Sequence, residues 1–217
     1  MTFRVVCISR TSGAGGEAIA QAIAQQLTFR YVDEEIISLA ARRAQVDPAL
    51  VAKAEHRQPL LQRLLEKIPR GGEVASLASG IAGVPLGPSG PASGAHRVDP
   101  ADLRAMIQAT IHAVADAGQA VIVAHAASMA LAKADGVLRV LITASAATRV
   151  RRLAERERLV AEEAERRIAD SDRERRAYFE RFYKLPEELA THYDLVINTD
   201  VLSTPQAVSV VLAAAQA

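Results

Sequence analysis

Four short apolar runs limit what this 217-residue chain can fold into. They are rich in Val, Ile and Leu without alternation of apolar and polar residues, a pattern typical of strands buried on both faces of a parallel sheet. The runs are FRVVCI (3–8), AVIVA (120–124), LRVLIT (138–143) and DLVIN (194–198). Because helical sequences separate them and parallel strands need crossover connections, the sequence predicts an α/β fold of three layers.

Helical periodicity accounts for most of the chain between these strands. The predicted helical stretches are 17–27, 34–44, 48–68, 100–117, an Arg- and Glu-rich region 146–184, and 204–214. Residues 70–96 are packed with Gly, Pro, Ser and Ala, which predicts a mobile loop that is either a lid over a site or a surface insertion. The length suits one domain, 1–217, with a single core.

Composition excludes several classes of protein. With 26 basic and 25 acidic residues the net charge is +1, so no overall field attracts nucleic acid or an anionic membrane. The single cysteine, Cys7, lies in an apolar run, which predicts a buried, inert thiol. No apolar run is long enough to span a membrane, and the N-terminus lacks the pattern of a signal peptide. We therefore expect a soluble, cytoplasmic protein, of undetermined oligomeric state.

A glycine-rich turn follows the first predicted strand and leads into a helix, within CISRTSGAGGEAIAQAIAQQL (7–27). Glycines at 13, 15 and 16 let the backbone turn with positive φ and approach a ligand closely. The N–H groups at the start of the helix bind phosphate oxygens, helped by the positive end of the helix dipole. The sequence therefore predicts a phosphate-binding loop, with a plain structural turn as the alternative.

This loop departs from the full G-x-x-x-x-G-K-[ST] pattern. That pattern adds a lysine for the β- and γ-phosphates and a hydroxyl for Mg²⁺. At those positions the chain has Gly16 and Ala18, and the carboxylate of Glu17 favours a helix start but repels triphosphate. The G-x-G-x-x-G fingerprint of dinucleotide-binding proteins is also incomplete. We therefore expect the backbone amides to bind phosphate, and to bind it weakly.

Several stretches of the chain, in the same order, resemble the cytidylate kinase-like family. The resemblance is carried by the opening loop with Tyr-Val-Asp at 31–33, AGQAVIVAHAASMAL (117–131), LRVLITASAATRVRRLAER (138–156), DSDRERRAYFERFY (170–183) and YDLVINTDVLS (193–203). It implies a nucleoside monophosphate kinase that transfers the γ-phosphoryl group of ATP to CMP or dCMP, with Mg²⁺ as cofactor.

The same resemblance implies how the domain is divided. The fold is P-loop kinase-like, with a short parallel sheet whose core comprises 1–33 and 118–217. A helical acceptor-binding insertion is expected at about 34–117 and an Arg-rich lid at about 150–184. Nucleotides are the expected partners.

The resemblance also implies a set of site residues. Phosphate or nucleotide binding is assigned to Ser12, Gly13, Ala14, Gly15, Gly16, Glu17 and Ala18 in the loop, and to Asp33, His125, Asn198 and Asp200 elsewhere. Catalytic roles are assigned to Arg10, which supplies the charge that lysine gives elsewhere, and to the lid residues Arg173, Arg175 and Arg176. Phosphoryl transfer needs such groups because charge on the transferring oxygens must be countered. No residue is assigned to a metal.

Structural roles remain open for many of these residues. Asp33 also suits a helix N-cap, His125 the end of a strand, and the Asn-Thr-Asp at 198–200 a turn. Residues 149–184 hold 12 of the 26 basic residues, but nine acidic residues are interleaved with them, as on a solvated helix.

Three functions are therefore compared. The leading hypothesis is a nucleoside monophosphate kinase. The alternative is a nucleotide-binding or regulatory relative without catalysis, favoured by Gly16, Ala18 and the Ala-His-Ala at 124–126, where relatives carry charged residues. A structural interaction protein, the third hypothesis, would have no affinity for nucleotides.

Overall fold

Strands and helices alternate along the chain in a computed structural model that describes residues 3–33, 36, 39, 100–123 and 126–217. The strands are β1 (Val5–Arg10), β2 (Arg30–Val32), β3 (Ala120–Ile122), β4 (Val137–Thr143) and β5 (Leu195–Asn198). The helices are α1 (Gly16–Leu27), α2 (Pro100–Ala117), α3 (Ala127–Ala130), α4 (Ala146–Glu157), α5 (Ala161–Tyr183) and α6 (Thr204–Gln216), with a 3₁₀ turn at Ala190–His192.

The five strands form one parallel sheet in the order β2-β3-β1-β4-β5. In the central strand β1, Val5 pairs with Ala120 of β3 on one side and with Val137 of β4 on the other. All four apolar runs of the sequence form strands of this sheet, so the prediction of a parallel α/β fold is confirmed. The apolar runs did not include β2, because this strand has only three residues, Arg-Tyr-Val.

Helices cover both faces of the sheet and make it the middle of three layers. On one face α1 and α6 bury a cluster that includes Ile19, Ile23 and Val211. On the other face α2 buries Ile107 and Ile111 against β1 and β3. Each fully buried side chain of this size contributes about 1.5 to 3 kcal/mol. The core therefore holds the carboxyl ends of β1, β3 and β4 at one edge, where sites form in such folds.

The Arg-rich region 146–184 folds as two helices rather than one. Arg158 follows α4 with a φ of 56°, a left-handed conformation that ends the helix. The two helices pack through a small cluster that includes Leu153, Ala164 and Ile168. This cluster joins α4 and α5 into an arm whose arginines meet the sheet and the glycine-rich turn.

Several predictions lie outside the described residues. They are the helices 34–44 and 48–68, apart from the helical residues Ile36 and Leu39, the loop 70–96, and His125. The last helix of the expected insertion, α2, packs directly on the sheet.

Cys7 is buried in β1, and burial raises the pKa of its thiol to about 12. In the described part of the chain, no helix combines the length and apolarity needed to cross a bilayer.

Candidate active site

The glycine-rich turn connects the end of β1 to the start of α1, at the carboxyl edge of the sheet. Gly13 and Gly15 have φ angles of 82° and 78°, which residues with side chains rarely adopt. The Ala14 N–H donates to the Thr11 carbonyl oxygen over 3.1 Å. Gly15 is the N-cap of α1, and no side chain among the described residues caps this helix. The turn therefore has the geometry that a phosphate-binding loop requires.

The side chains in the first turn of α1 offer no positive charge. Gly16 is buried, whereas Glu17 and Ala18 are exposed. Any positive charge for a bound phosphate must therefore come from residues outside this helix.

Arg149 of α4 packs directly against the loop. A Cβ atom at Gly13 would lie 2.8 Å from the Arg149 carbonyl oxygen and 2.9 Å from its Cβ, so only glycine fits there. The Arg149 guanidinium is buried and donates to both carboxylate oxygens of Asp172 on α5, over 2.8 and 2.7 Å. It also donates to the Ser12 carbonyl oxygen over 3.4 Å. This bidentate pair fixes the arm to the loop.

Thr199 holds the loop from the side of β5. Its hydroxyl donates to the Ala14 carbonyl oxygen over 2.8 Å and accepts from Arg152 of α4 over 2.9 Å. Arg152 also donates to the Thr199 carbonyl oxygen over 2.6 Å. Because Thr199 is 3% exposed, these hydrogen bonds have little competition from water. The loop is thus fixed in shape by contacts within the protein.

Asn198 and Asp200 make local contacts in the structure. The Asn198 side chain accepts from the Asp200 backbone N–H over 2.9 Å. The Asp200 carboxylate accepts from the backbone N–H and the hydroxyl of Ser145, each over 2.9 Å. Hydrogen bonds from the Ser145 N–H and from Thr148 are the main causes that lower the pKa of Asp200 to about 2. These contacts fit the turn interpretation, and nucleotide binding by the two residues stays a prediction.

Arg10 and Asp33 come together at the ends of β1 and β2. A terminal nitrogen of Arg10 lies 3.7 Å from the Asp33 carboxylate, an ion pair longer than a hydrogen bond. Arg10 Nε is buried and has no hydrogen-bond partner among the described residues. The Tyr31 hydroxyl donates to Asp33 over 3.2 Å, and burial together with the Asp33 charge raises the pKa of Tyr31 to about 12. Within the described residues, Arg10 thus has a donor without an acceptor.

A cavity of about 140 Å³ opens beside the loop at the carboxyl ends of β1 and β3. Its polar wall consists of Ser9, Arg10, Ser128 and Arg175. Two of the four predicted catalytic arginines therefore border one cavity next to the phosphate loop. Its size suits a phosphate-sized group more than a whole nucleotide.

The other arginine of this cavity, Arg175 of α5, makes four hydrogen bonds to protein oxygens from its five N–H donors. Its Nε donates to Glu188 over 2.7 Å, and one terminal nitrogen donates to Ser9 Oγ and to Glu188, each over 2.6 Å. The remaining nitrogen donates to the Arg10 carbonyl oxygen over 3.1 Å. The Tyr193 hydroxyl donates to Glu188 and lies 3.0 Å from Ser9 Oγ. Arg175 therefore holds α5 to the end of β1.

The charges of this network match its hydrogen bonds. Burial alone raises the pKa of Glu188, but the hydrogen bonds and charge of Arg175 outweigh burial and hold it below its usual range. Burial and the Glu188 carboxylate raise the pKa of Tyr193. At neutral pH the network is thus an ionised carboxylate between a guanidinium and a neutral phenol.

The other two predicted lid arginines lie away from the cavity lining. Arg173 pairs with Asp170 three residues earlier on the same helix, and both side chains are exposed. Arg176 is exposed as well. Of the predicted lid set, the structure brings Arg175 alone to the cavity.

The described residues do not fit a Mg²⁺ ion held by protein side chains. Glu17 directly follows the lysine position of the loop pattern, and neither Glu17 nor Ala18 has a hydroxyl. No three His, Cys, Asp or Glu side chains cluster in the described ranges. No step of the chemistry is therefore derived through a protein-bound metal.

Sequence reasoning missed most of the residues that hold the site together. They are Ser9, Arg149, Arg152, Asp172, Glu188, Tyr193 and Thr199. All except Glu188 lie in segments that carry the family resemblance, but none of them was assigned a role in the site, and Thr199 was considered only as part of a turn. The Arg175 contact to Ser9 joins residues 166 positions apart, and the Thr199 contact to Ala14 joins residues 185 apart. No local pattern reveals such pairs.

Sheet order, loop geometry and cavity position together define a P-loop kinase-like protein. A family model described as the cytidylate kinase-like family matches residues 5–201. The chain belongs to the cytidylate kinase-like family. A comparison with curated proteins finds no match.

Several solved structures are similar to this chain at low sequence identity, and the first of them shares its fold. An uncharacterized protein from Eubacterium ventriosum ATCC 27560 is similar with a TM-score of 0.63 and 15% identity, covering 97% of each chain. The shikimate kinase from Bacteroides thetaiotaomicron has a TM-score of 0.47 and 12% identity, over 97% of this chain and 96% of that one. The shikimate kinase from Acinetobacter baumannii in complex with shikimate has a TM-score of 0.48 and 10% identity, over 97% and 92%.

Proposed function

We propose that this protein is a phosphotransferase of nucleoside monophosphates, which moves the γ-phosphoryl group of ATP to CMP, dCMP or a similar acceptor in the cytoplasm. The observation that carries the proposal is the position of Arg10. The stem of its side chain lies against Gly16 of the phosphate loop, and the residue lines the adjoining cavity. Its Nε has no partner among the described residues. Family membership supports the kinase class, and the choice of CMP is the finer part of the proposal.

The geometry supports a division of the site between donor and acceptor. The N–H groups at the start of α1 bind the phosphates of ATP, because the helix dipole is positive there and no side chain of the described residues caps it. The neighbouring cavity accepts the phosphate of the acceptor, and Arg10 lies between this cavity and the loop that binds the donor. Phosphoryl transfer asks for positioning and charge stabilisation, with little covalent chemistry from the protein.

A nucleotide-binding relative without catalysis is the second candidate. It is favoured by the engagement of Arg175, the predicted clamp on the transferring group, with Glu188 and Ser9. The exposed Glu17 in the first turn of α1 also disfavours triphosphate. On this alternative the protein binds ATP but does not transfer its phosphoryl group.

Phosphorus NMR of ATP mixed with CMP, dCMP or UMP, with and without Mg²⁺, tests the proposal. We expect ADP and a nucleoside diphosphate to appear together, and only with an acceptor present. Binding of ATP without transfer to any acceptor supports the second candidate instead. Absence of ATP binding rejects both.

Two glycine variants provide a matched control for this assay. Gly15 and Gly118 both have positive φ, 78° and 71°, and an added Cβ meets no severe clash at either site. Both Gly15→Ala and Gly118→Ala should therefore cost stability of roughly 1 to 2 kcal/mol through backbone strain. Only Gly15→Ala, in the loop, should also weaken ATP binding. Equal ATP affinity in the two variants places the nucleotide elsewhere.

A further inference from the structure

Position 16 has no room for a side chain, and Arg10 is the reason. A Cβ atom built on Gly16 would lie 2.6 Å from Arg10 Cβ, a separation that real Cβ atoms essentially never show. It would also lie 3.3 Å from Arg10 Cδ and 3.3 Å from Ile142 Cβ. The stem of Arg10 thus passes over the place where the lysine of the full loop pattern would begin. An arginine at 10 and a lysine at 16 exclude each other sterically.

Arg10 places a positively charged side chain beside position 16. Its side chain is 36% exposed and borders the cavity. Its Nε donor has no partner in the described part of the chain, and its ion pair to Asp33 is 3.7 Å long. By contrast, every side-chain nitrogen of Arg175 donates to a protein oxygen. Of these two arginines, Arg10 has the greater hydrogen-bonding capacity left for a ligand, because among the described residues its guanidinium makes only the long ion pair to Asp33.

We propose that Arg10 binds the donor phosphates in place of the loop lysine, and that Gly16 is glycine because Arg10 occupies the space of that lysine. The inference rests on the proposed function, since it requires ATP at this loop. On this proposal the site keeps the positive charge of the lysine, but the charge comes from Arg10 at the end of β1 instead of from the first turn of α1. Arginine suits the role because its planar group donates two parallel hydrogen bonds to phosphate.

A swap of the two residues tests this exclusion. The variants are Arg10→Gly, Gly16→Lys, the double variant Arg10→Gly/Gly16→Lys, and Arg10→Ala/Gly16→Lys, and the measurement is ATP affinity by calorimetry. Arg10→Gly should weaken binding by about 10- to 100-fold, the range of a lost charge-assisted hydrogen bond. Gly16→Lys alone should also weaken binding, because its Cβ displaces Arg10 and the loop. The Arg10→Gly/Gly16→Lys double variant should recover most of the loss.

The second double variant is the matched control. Alanine at 10 keeps the Cβ atom that lies 2.6 Å from the new side chain, whereas glycine removes it. Arg10→Ala/Gly16→Lys should therefore bind ATP no better than Gly16→Lys. Equal recovery in both double variants, or recovery in neither, overturns the exclusion.

Thermal unfolding without nucleotide tests the steric part independently. Gly16→Ala should lower the melting temperature, and adding Arg10→Gly should restore part of it. A Gly16→Ala variant as stable as the wild type overturns the exclusion. Wild-type protein that binds no ATP defeats the proposed function and this inference with it. Wild-type protein that binds ATP with an affinity unchanged by Arg10→Gly defeats this inference alone.

Discussion

Arg10 and Arg175 border the same cavity, but their nitrogens have different partners. Every side-chain nitrogen of Arg175 donates to a protein oxygen, whereas Arg10 Nε has no partner among the described residues. An arginine with satisfied hydrogen bonds must give them up before it binds phosphate, and an arginine with open donors need not. From this comparison we expect the hydrogen-bond partners of an arginine, more than the number of arginines, to decide which residue binds a ligand.

The same distinction separates the loop from the Arg-rich arm of α4 and α5. Arg149 and Arg152 of the arm donate to Asp172 and Thr199, and through these contacts they support the loop backbone. An arm rich in arginine therefore acts mainly as a scaffold in this structure. The predictions below test this scaffold role, beginning with the largest expected effect.

Breaking the Arg149–Asp172 pair should have the largest effect. Asp172→Ala leaves the buried Arg149 guanidinium without its carboxylate, which should lower the free energy of unfolding by about 3 kcal/mol. Asp170→Ala is the matched control on the same helix, because Asp170 pairs with the exposed Arg173 and should cost less than about 1 kcal/mol. Urea unfolding measures both. Equal losses in the two variants would show that Arg149 does not depend on its pair.

Removing Arg175 should have the next largest effect. Arg175→Ala leaves Glu188 partly buried without its main donor, which should lower the free energy of unfolding by about 2 kcal/mol. Its exposed neighbour offers the control, since Arg176→Ala should change stability by less than about 0.5 kcal/mol. If Arg175→Ala keeps the wild-type melting temperature and instead loses affinity for nucleotide, Arg175 is a phosphate clamp and the comparison with Arg10 fails.

The acid dependence of stability should show a smaller effect of the same network. The folded-state pKa of Glu188 lies below its ordinary value of about 4.3. Ionised Glu188 therefore stabilises the folded protein above about pH 4.3, and this stabilisation is lost as the pH falls through the folded-state pKa. Glu188→Gln should remove this stabilisation. Between pH 5 and 3 the free energy of unfolding should then fall by roughly 1 kcal/mol less in the variant than in the wild type. An unchanged slope in the variant would mean that Glu188 is not ionised in the network.

The fold was predictable from sequence to a much greater degree than the site contacts. Buried parallel strands leave unbroken apolar runs, and a phosphate loop leaves glycines at fixed places, so β1, β3, β4, β5 and the turn at 13–16 were readable. The apolar runs did not reveal the strand β2, because its three residues include an arginine and a tyrosine. Apolar runs and glycine spacings can be recognised because the residues that form them are adjacent in the sequence.

The contacts of the site depend on residues far apart in the chain. Nothing near Arg175 in the sequence distinguishes it from Arg173 or Arg176, since all three lie within four residues of Asp172 on one helix. Its partners Ser9 and Glu188 are brought to it by the fold. The steric exclusion between Arg10 and Gly16 requires the angle between β1 and α1, which the spacing of the glycines does not give. For these reasons the family resemblance drew attention to Arg10, but it did not explain why position 16 beside it is a glycine.

A crystal structure of the protein with a non-hydrolysable ATP analogue tests the central claim most directly. The decisive quantities are the distances from the guanidinium nitrogens of Arg10 and Arg175 to the nearest phosphate oxygen. We predict a phosphate oxygen within about 3.2 Å of Arg10, at the start of α1, with Arg175 still bonded to Glu188. A structure in which Arg175 leaves Glu188 to hold the phosphates, while Arg10 stays beside Asp33, would contradict the account.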